Sequence, residues 1–240
     1  MKIALIGYGA MGRLIEQLAD EAGHHEVTVK IESTGELEQS ELTDKLSGVD
    51  VAIDFTGAGS VRQNVEACLT AGVPIVEGTT GWHEQLPEIR KMVGDRGGAM
   101  IYGANFSPGV NVFYRLVDLA AELLANFPIY ESFIEERHHS RKKDSPSGTA
   151  LKLKDLVSAH GSSDVSIAAT RAGSIPGTHR VGFDGPADQI VLEHNARSRE
   201  GFAHGALMAA EWIEGRTGFY DFSEVIDEIL KGQTDLTSAK

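Results

Sequence analysis

The first half of the chain alternates short, wholly apolar runs with longer stretches that are apolar at helical spacing. Lys2-Ile3-Ala4-Leu5-Ile6 is such a run and ends in glycine. A run apolar at successive positions suits a strand covered on both faces, as in a parallel sheet. Residues 49–55, 74–77 and 98–102 are further short, mainly apolar runs, and 27–31 reads as the second strand. Between them, 13–22, 59–71 and 83–94 predict helices, while 33–48 is polar, acidic and without a clear period. That last stretch reads as a surface connection holding a short helix. Strands alternating with helices predict an α/β fold, a Rossmann-like doubly wound parallel sheet with helices on both faces.

The pattern changes after residue 109. A long helix is predicted over 110–127, apolar at Val112, Leu116, Leu119, Ala120, Leu123 and Leu124. Residues 129–136 alternate apolar with polar, the mark of a half-buried strand. A helix at 148–159 follows, then strands at 165–172, 178–184 and 187–195 with turn signals and no helix between them. This predicts an α+β domain with a mixed or antiparallel sheet and helices on one face. Helices at 202–214 and 221–230 close the chain and are expected to return to the first sheet. The expected division is 1–106 with 206–240 for the first domain and 107–205 for the second; the last residues, 233–240, are expected to be disordered.

The first candidate chemistry lies in Gly7-Tyr8-Gly9-Ala10-Met11-Gly12, between the first strand and first helix. This is G-x-G-x-x-G in the context that a dinucleotide site requires. Gly7 permits the turn, Gly9 lets backbone approach a pyrophosphate, and Gly12 lets the helix lie close. The helix start offers N–H donors to the phosphates. Glu32 ends the second strand, where an acid accepts hydrogen bonds from ribose hydroxyls and repels a 2′-phosphate. Ser33, Thr34 and Gly35 follow it, with no arginine, so NADH is expected to serve at least as well as NADPH; Lys30 is the residue that could reverse this. Ligands sit beyond the carboxyl ends of strands in such sheets. Phe55, Gly78, Thr79, Thr80, Ala104, Asn105 and Phe106 lie at such ends and are expected to wall the ribose and nicotinamide.

The second is Glu136-Arg137-His138-His139-Ser140-Arg141-Lys142-Lys143, followed by a turn at Asp144-Ser145-Pro146 and a helix entered at Ser147-Gly148-Thr149. Titratable groups at a strand end, beside a helix start with free N–H groups, can bind an anion and move a proton. The net charge of −13 excludes nucleic acid or an anionic membrane as the main partner. It also sharpens this spot, because four of the 22 Lys and Arg fall here. Cys68 is the only cysteine, so no intramolecular disulfide can form, and it is expected to be buried and inert. His138 and His139 are adjacent and lack metal-ligand spacing, so no metal is expected. No apolar run reaches membrane-spanning length, and a cytoplasmic location is expected.

Taken together, these residues resemble the 4-hydroxy-tetrahydrodipicolinate reductase (dihydrodipicolinate reductase) family. Its signature, E-[AL]-H-H-x-x-K-x-D-A-P-S-G-T-A, fits residues 136–150 with Arg137 and Ser145 as departures. The likeness extends to the glycine loop (a residue shorter than the G-x-x-G-R-M-G of many members), Asp54-Phe55-Thr56, Gly78-Thr79-Thr80-Gly81 and Ala104-Asn105-Phe106-Ser107. It also takes in Gly109-Val110-Asn111, Arg171-Ala172-Gly173, Glu193-His194 and Phe202-Ala203-His204-Gly205-Ala206. The resemblance implies reduction of a cyclic imine dicarboxylate with NADH, NADPH or both, in diaminopimelate and lysine biosynthesis. It implies His138 as proton donor, Lys142 as second acid, His139 on one substrate carboxylate, and Gly148 and Thr149 N–H groups on the other. It implies a homotetramer built through the second domain's sheet. It gives Lys143 no role, and His160, His179, His194 and His204 are expected to be structural or peripheral. Two rival readings are an aspartate dehydrogenase-like oxidoreductase and a non-enzymatic dinucleotide sensor.

Overall fold

The computed structural model describes residues 1–32, 37–161 and 165–235, with backbone alone for 233–235. The expectations placed on 33–36 and 236–240 lie outside the described residues. The chain divides into two compact units, Met1–Pro108 with Glu200–Lys240, and Gly109–Arg199.

The first unit runs β1 (Lys2–Ile6), α1 (Ala10–Ala22), β2 (Glu26–Ile31), α2 (Gln39–Leu46), β3 (Val51–Asp54), α3 (Val61–Ala71), β4 (Ile75–Glu77), a 3-10 turn (His83–Gln85), α4 (Leu86–Asp95) and β5 (Ala99–Tyr102). The second holds most of α5 (Pro108–Leu124), then β6 (Glu131–His138), α6 (Gly148–Ala159), β7 (Ser166–Arg171), β8 (Thr178–Asp184) and β9 (Gln189–Asn195). The chain returns to the first unit as α7 (Glu200–Ile213), β10 (Gly218–Asp221) and α8 (Phe222–Asp235).

Six parallel strands form the first sheet in the order β10-β5-β4-β3-β1-β2. From β1 the chain adds β2 on one side and then crosses back to add β3 on the other, which makes the gap between β1 and β3 the switch point where such sheets bind ligands. The wholly apolar strands are explained by two cores. Ile3, Leu5, Val51, Ile53, Val76 and Ile101 face one core with α1, α7 and α8. Ala4, Ile6, Ala52, Ile75 and Met100 face the other with α2, α3 and α4.

β10 is a strand the hydrophobic pattern does not predict. It is an edge strand, half-buried and paired only through β5, so Gly218-Phe219-Tyr220-Asp221 never forms an apolar run. Its aromatic rings hold it instead: Phe219 lies 4.9 Å from Tyr102 and Tyr220 lies 4.9 Å from Trp212.

The second unit's sheet has the order β7-β6-β8-β9, with β6 parallel to β7 and antiparallel to β8. It is mixed, with α5 and α6 packing through Phe113, Val117, Ala121, Ala150, Leu153 and Val157 onto Ile134, Val181 and Phe183. The helix α5 therefore has two apolar faces. Leu116, Leu119 and Leu123, prominent in the predicted pattern, are exposed, and the inward stripe is offset by one residue from them.

Candidate active site

At the switch point, Gly7, Gly9, Glu32, Phe55, Thr56, Gly57 and Ser60 line an open cleft of about 590 Å³. Gly7 is required twice over: its φ is +86°, and a Cβ there would lie 2.4 Å from the Phe55 carbonyl oxygen. A Cβ on Gly12 would fall 2.9 Å from the Gly7 oxygen, so a side chain would push α1 off the loop. A Cβ on Gly9 would meet nothing within 4 Å, which leaves space for a ligand at the start of α1. The first internal bond there is Arg13 N–H to Gly9 O (3.1 Å), so the preceding N–H groups have no acceptor within the helix. Open backbone, a helix start and an exposed terminal acid together fit a dinucleotide.

The other residues expected to form the cofactor wall divide. Thr79, Thr80 and Ala104 meet around a separate, smaller hollow with Tyr102 and Trp82. Gly78 seats the Phe55 ring, which a Cβ would strike at 2.3 Å. Asn105 Oδ1 accepts from Ser107 N–H (2.9 Å). The Phe106 side chain is in the core, 2% exposed and 4.6 Å from Phe222, so only its backbone is left for a ligand. Ala10 is exposed, and Met11 is half-buried against the core beside Tyr8. The Tyr8 hydroxyl donates to Glu16, which also pairs with Lys30; the Lys30 ammonium lies 5.2 Å from the Tyr8 ring.

Beneath the cleft lies an acid pair. Asp54 and Glu77 are opposite each other on β3 and β4, and both are 0% exposed. Asp54 accepts from Thr56 N–H (2.8 Å) and Asn64 Nδ2 (2.6 Å); Glu77 accepts from Thr79 N–H (2.7 Å). Thr56 N–H also reaches Thr79 Oγ1 (3.1 Å), tying the two loops together. Burial raises both carboxyl pKa values, Glu77 well above the ordinary range, with the Asp54 charge adding to the effect on Glu77. Desolvation therefore favours the neutral form of Glu77.

The second unit builds a corner where β6 ends and α6 begins. Ile134, Glu136 and His138 share the buried face of β6. Glu136 is 1% exposed. Its Oε1 accepts from Ser147 N–H (3.0 Å) and Arg171 Nη2 (2.6 Å), and its Oε2 accepts from the Ser147 hydroxyl. Burial alone would raise its pKa, but the Ser147 and Arg171 donors outweigh burial and hold it below the usual carboxylate range. Ser147 caps α6, its Oγ accepting from Ala150 N–H (3.2 Å). Gly148 and Thr149 open that helix, and a Cβ on Gly148 would meet nothing within 4 Å.

His138 Nδ1 lies 3.5 Å from Glu136 Oε2, and its ring is 5.0 Å from that of His179. Burial lowers its pKa, Glu136 opposes this, and Lys142 and Arg171 add to it. His179 Nε2 is 3.1 Å from Ser147 Oγ, and burial pushes its pKa down to about 4. Lys142 Nζ pairs with Asp144 Oδ1 at 2.9 Å. His139 is half-buried, and its Nδ1 lacks a hydrogen-bond partner. Arg137 and Lys143 are exposed. Glu136, His138 and His179 bring ligand-type atoms within 4.8 Å of one another, but Arg171 already places a positive charge on the carboxylate.

Sequence models of the N-terminal and C-terminal parts of dihydrodipicolinate reductase match residues 1–106 and 109–226. The chain belongs to the dihydrodipicolinate reductase family. A relative from Christiangramia forsetii, named 4-hydroxy-tetrahydrodipicolinate reductase, is 36% identical, with 96% of this chain and all of the relative covered. One of the same name from Methanosarcina barkeri is 38% identical, covering 76% of this chain and 74% of its own. A solved dipicolinate-bound dihydrodipicolinate reductase from Paenisporosarcina sp. TG-14 shares the fold, with a TM-score of 0.79 at 21% identity over 94% and 99% of the two chains.

Within this reductase family member, sequence reasoning assigned no role to Glu136, Arg171, Asp54 or Glu77, and put His179 among the structural or peripheral histidines. A usable signal existed. Glu136 and His138 have the parity of Ile134, and Asp54 and Glu77 have the parity of Ala52 and Ile75, so strand alternation alone points each inward.

Proposed function

We propose that the chain reduces 4-hydroxy-tetrahydrodipicolinate to tetrahydrodipicolinate and water with NADH or NADPH, in the diaminopimelate route to lysine. The observation that carries this is the 36% identity to a named reductase over that protein's whole length. The chemistry of the corner supports it. His138 is the proton donor, and Lys142 is the second acid. Both place positive charge where negative charge builds on the substrate. The low pKa that burial gives His138 eases release of its proton, and a bound dicarboxylate shifts the imidazole back toward its charged form. His139 meets one substrate carboxylate, and the Gly148 and Thr149 N–H groups receive the other.

Residues 7–12 and the start of α1 would hold the pyrophosphate, and Glu32 the ribose hydroxyls. The reduced dinucleotide supplies the hydride when bound. Lys30 is engaged by Glu16 and Tyr8, which supports use of NADH at least as well as NADPH. The proposed assembly is a homotetramer built through the second unit's sheet, where Ile190 and Val191 of β9 are exposed. The proposed location is the cytoplasm, which suits a pyridine-nucleotide enzyme with one buried free thiol.

The test is a coupled assay. Purified protein is given the condensation product of pyruvate and aspartate semialdehyde, and loss of reduced-nicotinamide absorbance is followed with each cofactor. Substrate-dependent oxidation is expected. Its absence, with dinucleotide still bound, would favour a sensor; ammonia release from aspartate with cofactor reduction would favour the aspartate dehydrogenase reading. A preference for NADPH of about a hundredfold would overturn the role given to Glu32.

A further inference from the structure

We propose that Glu136 is the positioning residue for His138: it holds Nδ1 toward its carboxylate and leaves Nε2 to transfer the proton, while Gly177 keeps Nε2 uncovered. The inference rests on His138 being the proton donor.

An ionised carboxylate only accepts hydrogen bonds, so the imidazole nitrogen facing it carries hydrogen. Glu136 is such a carboxylate, buried and charge-paired with Arg171 at 2.6 Å. His138 Nδ1 is buried and forms no hydrogen bond in this structure; the charged group nearest to it is Glu136 Oε2, 3.5 Å away. Neutral His138 is therefore the Nδ1–H tautomer, with its lone pair on Nε2. When charged, it holds the transferable proton on Nε2.

The other nitrogen is kept clear by backbone. Gly177 has φ +156°, and a Cβ there would come within 3.3 Å of Nε2 and 3.4 Å of Cδ2. Gly177 itself is anchored by its carbonyl, which accepts from Ala196 N–H (2.9 Å).

The charges around His138 show why the carboxylate matters. Lys142 from the loop and Arg171 from β7 disfavour the imidazolium, whereas Glu136 and Asp144 favour it. His179 from β8 faces the ring edge-on, with His194 of β9 acting on His179 in turn. Glu136 is thus the counter-charge nearest the ring. Its other oxygen holds Ser147 N–H, so the same carboxylate fixes the start of α6. One side chain sets both the acid and the proposed carboxylate-binding N–H groups.

The test begins on wild-type protein, without cofactor or substrate. Nitrogen NMR of the histidine rings reads the tautomer and titration of His138. The Nδ1–H tautomer is expected; the Nε2–H tautomer would overturn the proposal. In Glu136→Gln the His138 titration should move to lower pH, as should the alkaline fall in kcat. Neutral-pH kcat should drop about tenfold or more, as when an orienting carboxylate is lost. Ser147→Ala, which keeps the carboxylate, should leave the His138 titration near wild type. An unmoved titration in folded Glu136→Gln, or an equal shift in Ser147→Ala, would also overturn it. The tautomer is read without turnover, so a wild-type protein inactive on the substrate would count against the proposed function and not against this arrangement.

Discussion

Each unit buries carboxylates at strand ends, but the surroundings differ. In the first, Asp54 and Glu77 face each other across β3 and β4 and accept from neutral groups, the Thr56 and Thr79 backbone amides and the Asn64 side-chain amide. In the second, Glu136 has an amide, a hydroxyl and the Arg171 guanidinium. Burial pushes all three pKa values upward, yet Glu136 ends below its ordinary value while Glu77 ends well above. The Ser147 hydroxyl and amide together with the Arg171 guanidinium offset burial at Glu136, whereas at Glu77 a second carboxylate adds to it. The first pair is suited to fastening two loops. The second carboxylate keeps a charge and can bias a neighbouring histidine.

The comparison predicts separable losses. Lys142→Ala, in the second unit's corner, should lower kcat by on the order of a hundredfold or more, the loss expected for a general acid. Dinucleotide affinity, measured by fluorescence titration, should stay near wild type. Near-normal turnover would remove Lys142 from the acids.

Stability should separate the two carboxylate sites next. Arg171→Met leaves Glu136 charged and unpaired, which costs about 3–5 kcal/mol for a buried pair broken on one side. Glu77→Gln keeps a neutral group in a site that already favours one, and should cost about 1 kcal/mol or less. Thermal unfolding of the two variants side by side reads the difference, and equal losses would contradict the assigned charge states.

Their pH responses should also oppose. Glu136 has a depressed pKa, so its contribution is present above the ordinary carboxylate range and is lost as pH falls through its lowered value. Glu77 has a raised pKa, so its contribution is complete at low pH and is lost as pH rises through that value. His179, buried neutral, adds stability above its ordinary pKa of 6.5 that fades as pH falls toward about 4. Glutamine at position 77 should flatten the alkaline loss, and glutamine at position 179 the acid one.

The smallest expected effect concerns the cofactor. Glu32→Ala should raise relative use of NADPH by several-fold, about 1 kcal/mol, by removing a charge that repels a 2′-phosphate. No change in the ratio of the two kcat/KM values would show that Glu32 does not face the ribose.

Much of this fold was legible because β1, β3, β4 and β5 are covered on both faces and so read as mainly apolar runs. β10 was not, because an edge strand held by Phe219 and Tyr220 needs no such run. The α5 stripe misled in another way: Leu116, Leu119 and Leu123 are as apolar as the buried Phe113 and Val117, and periodicity does not tell which face packs inward. The candidate acid was visible as a motif. Its wiring was not, since Arg171 and His179 lie far along the chain and meet Glu136 only through the pairing of β6 with β7 and β8.

The most direct test of the reductase assignment uses one variant and two readings. His138→Gln should bind reduced dinucleotide with wild-type affinity yet oxidise it, in the presence of the cyclic substrate, on the order of a hundredfold more slowly or worse. Oxidation at close to the wild-type rate would show that the proton comes from elsewhere and would contradict the account built on this corner.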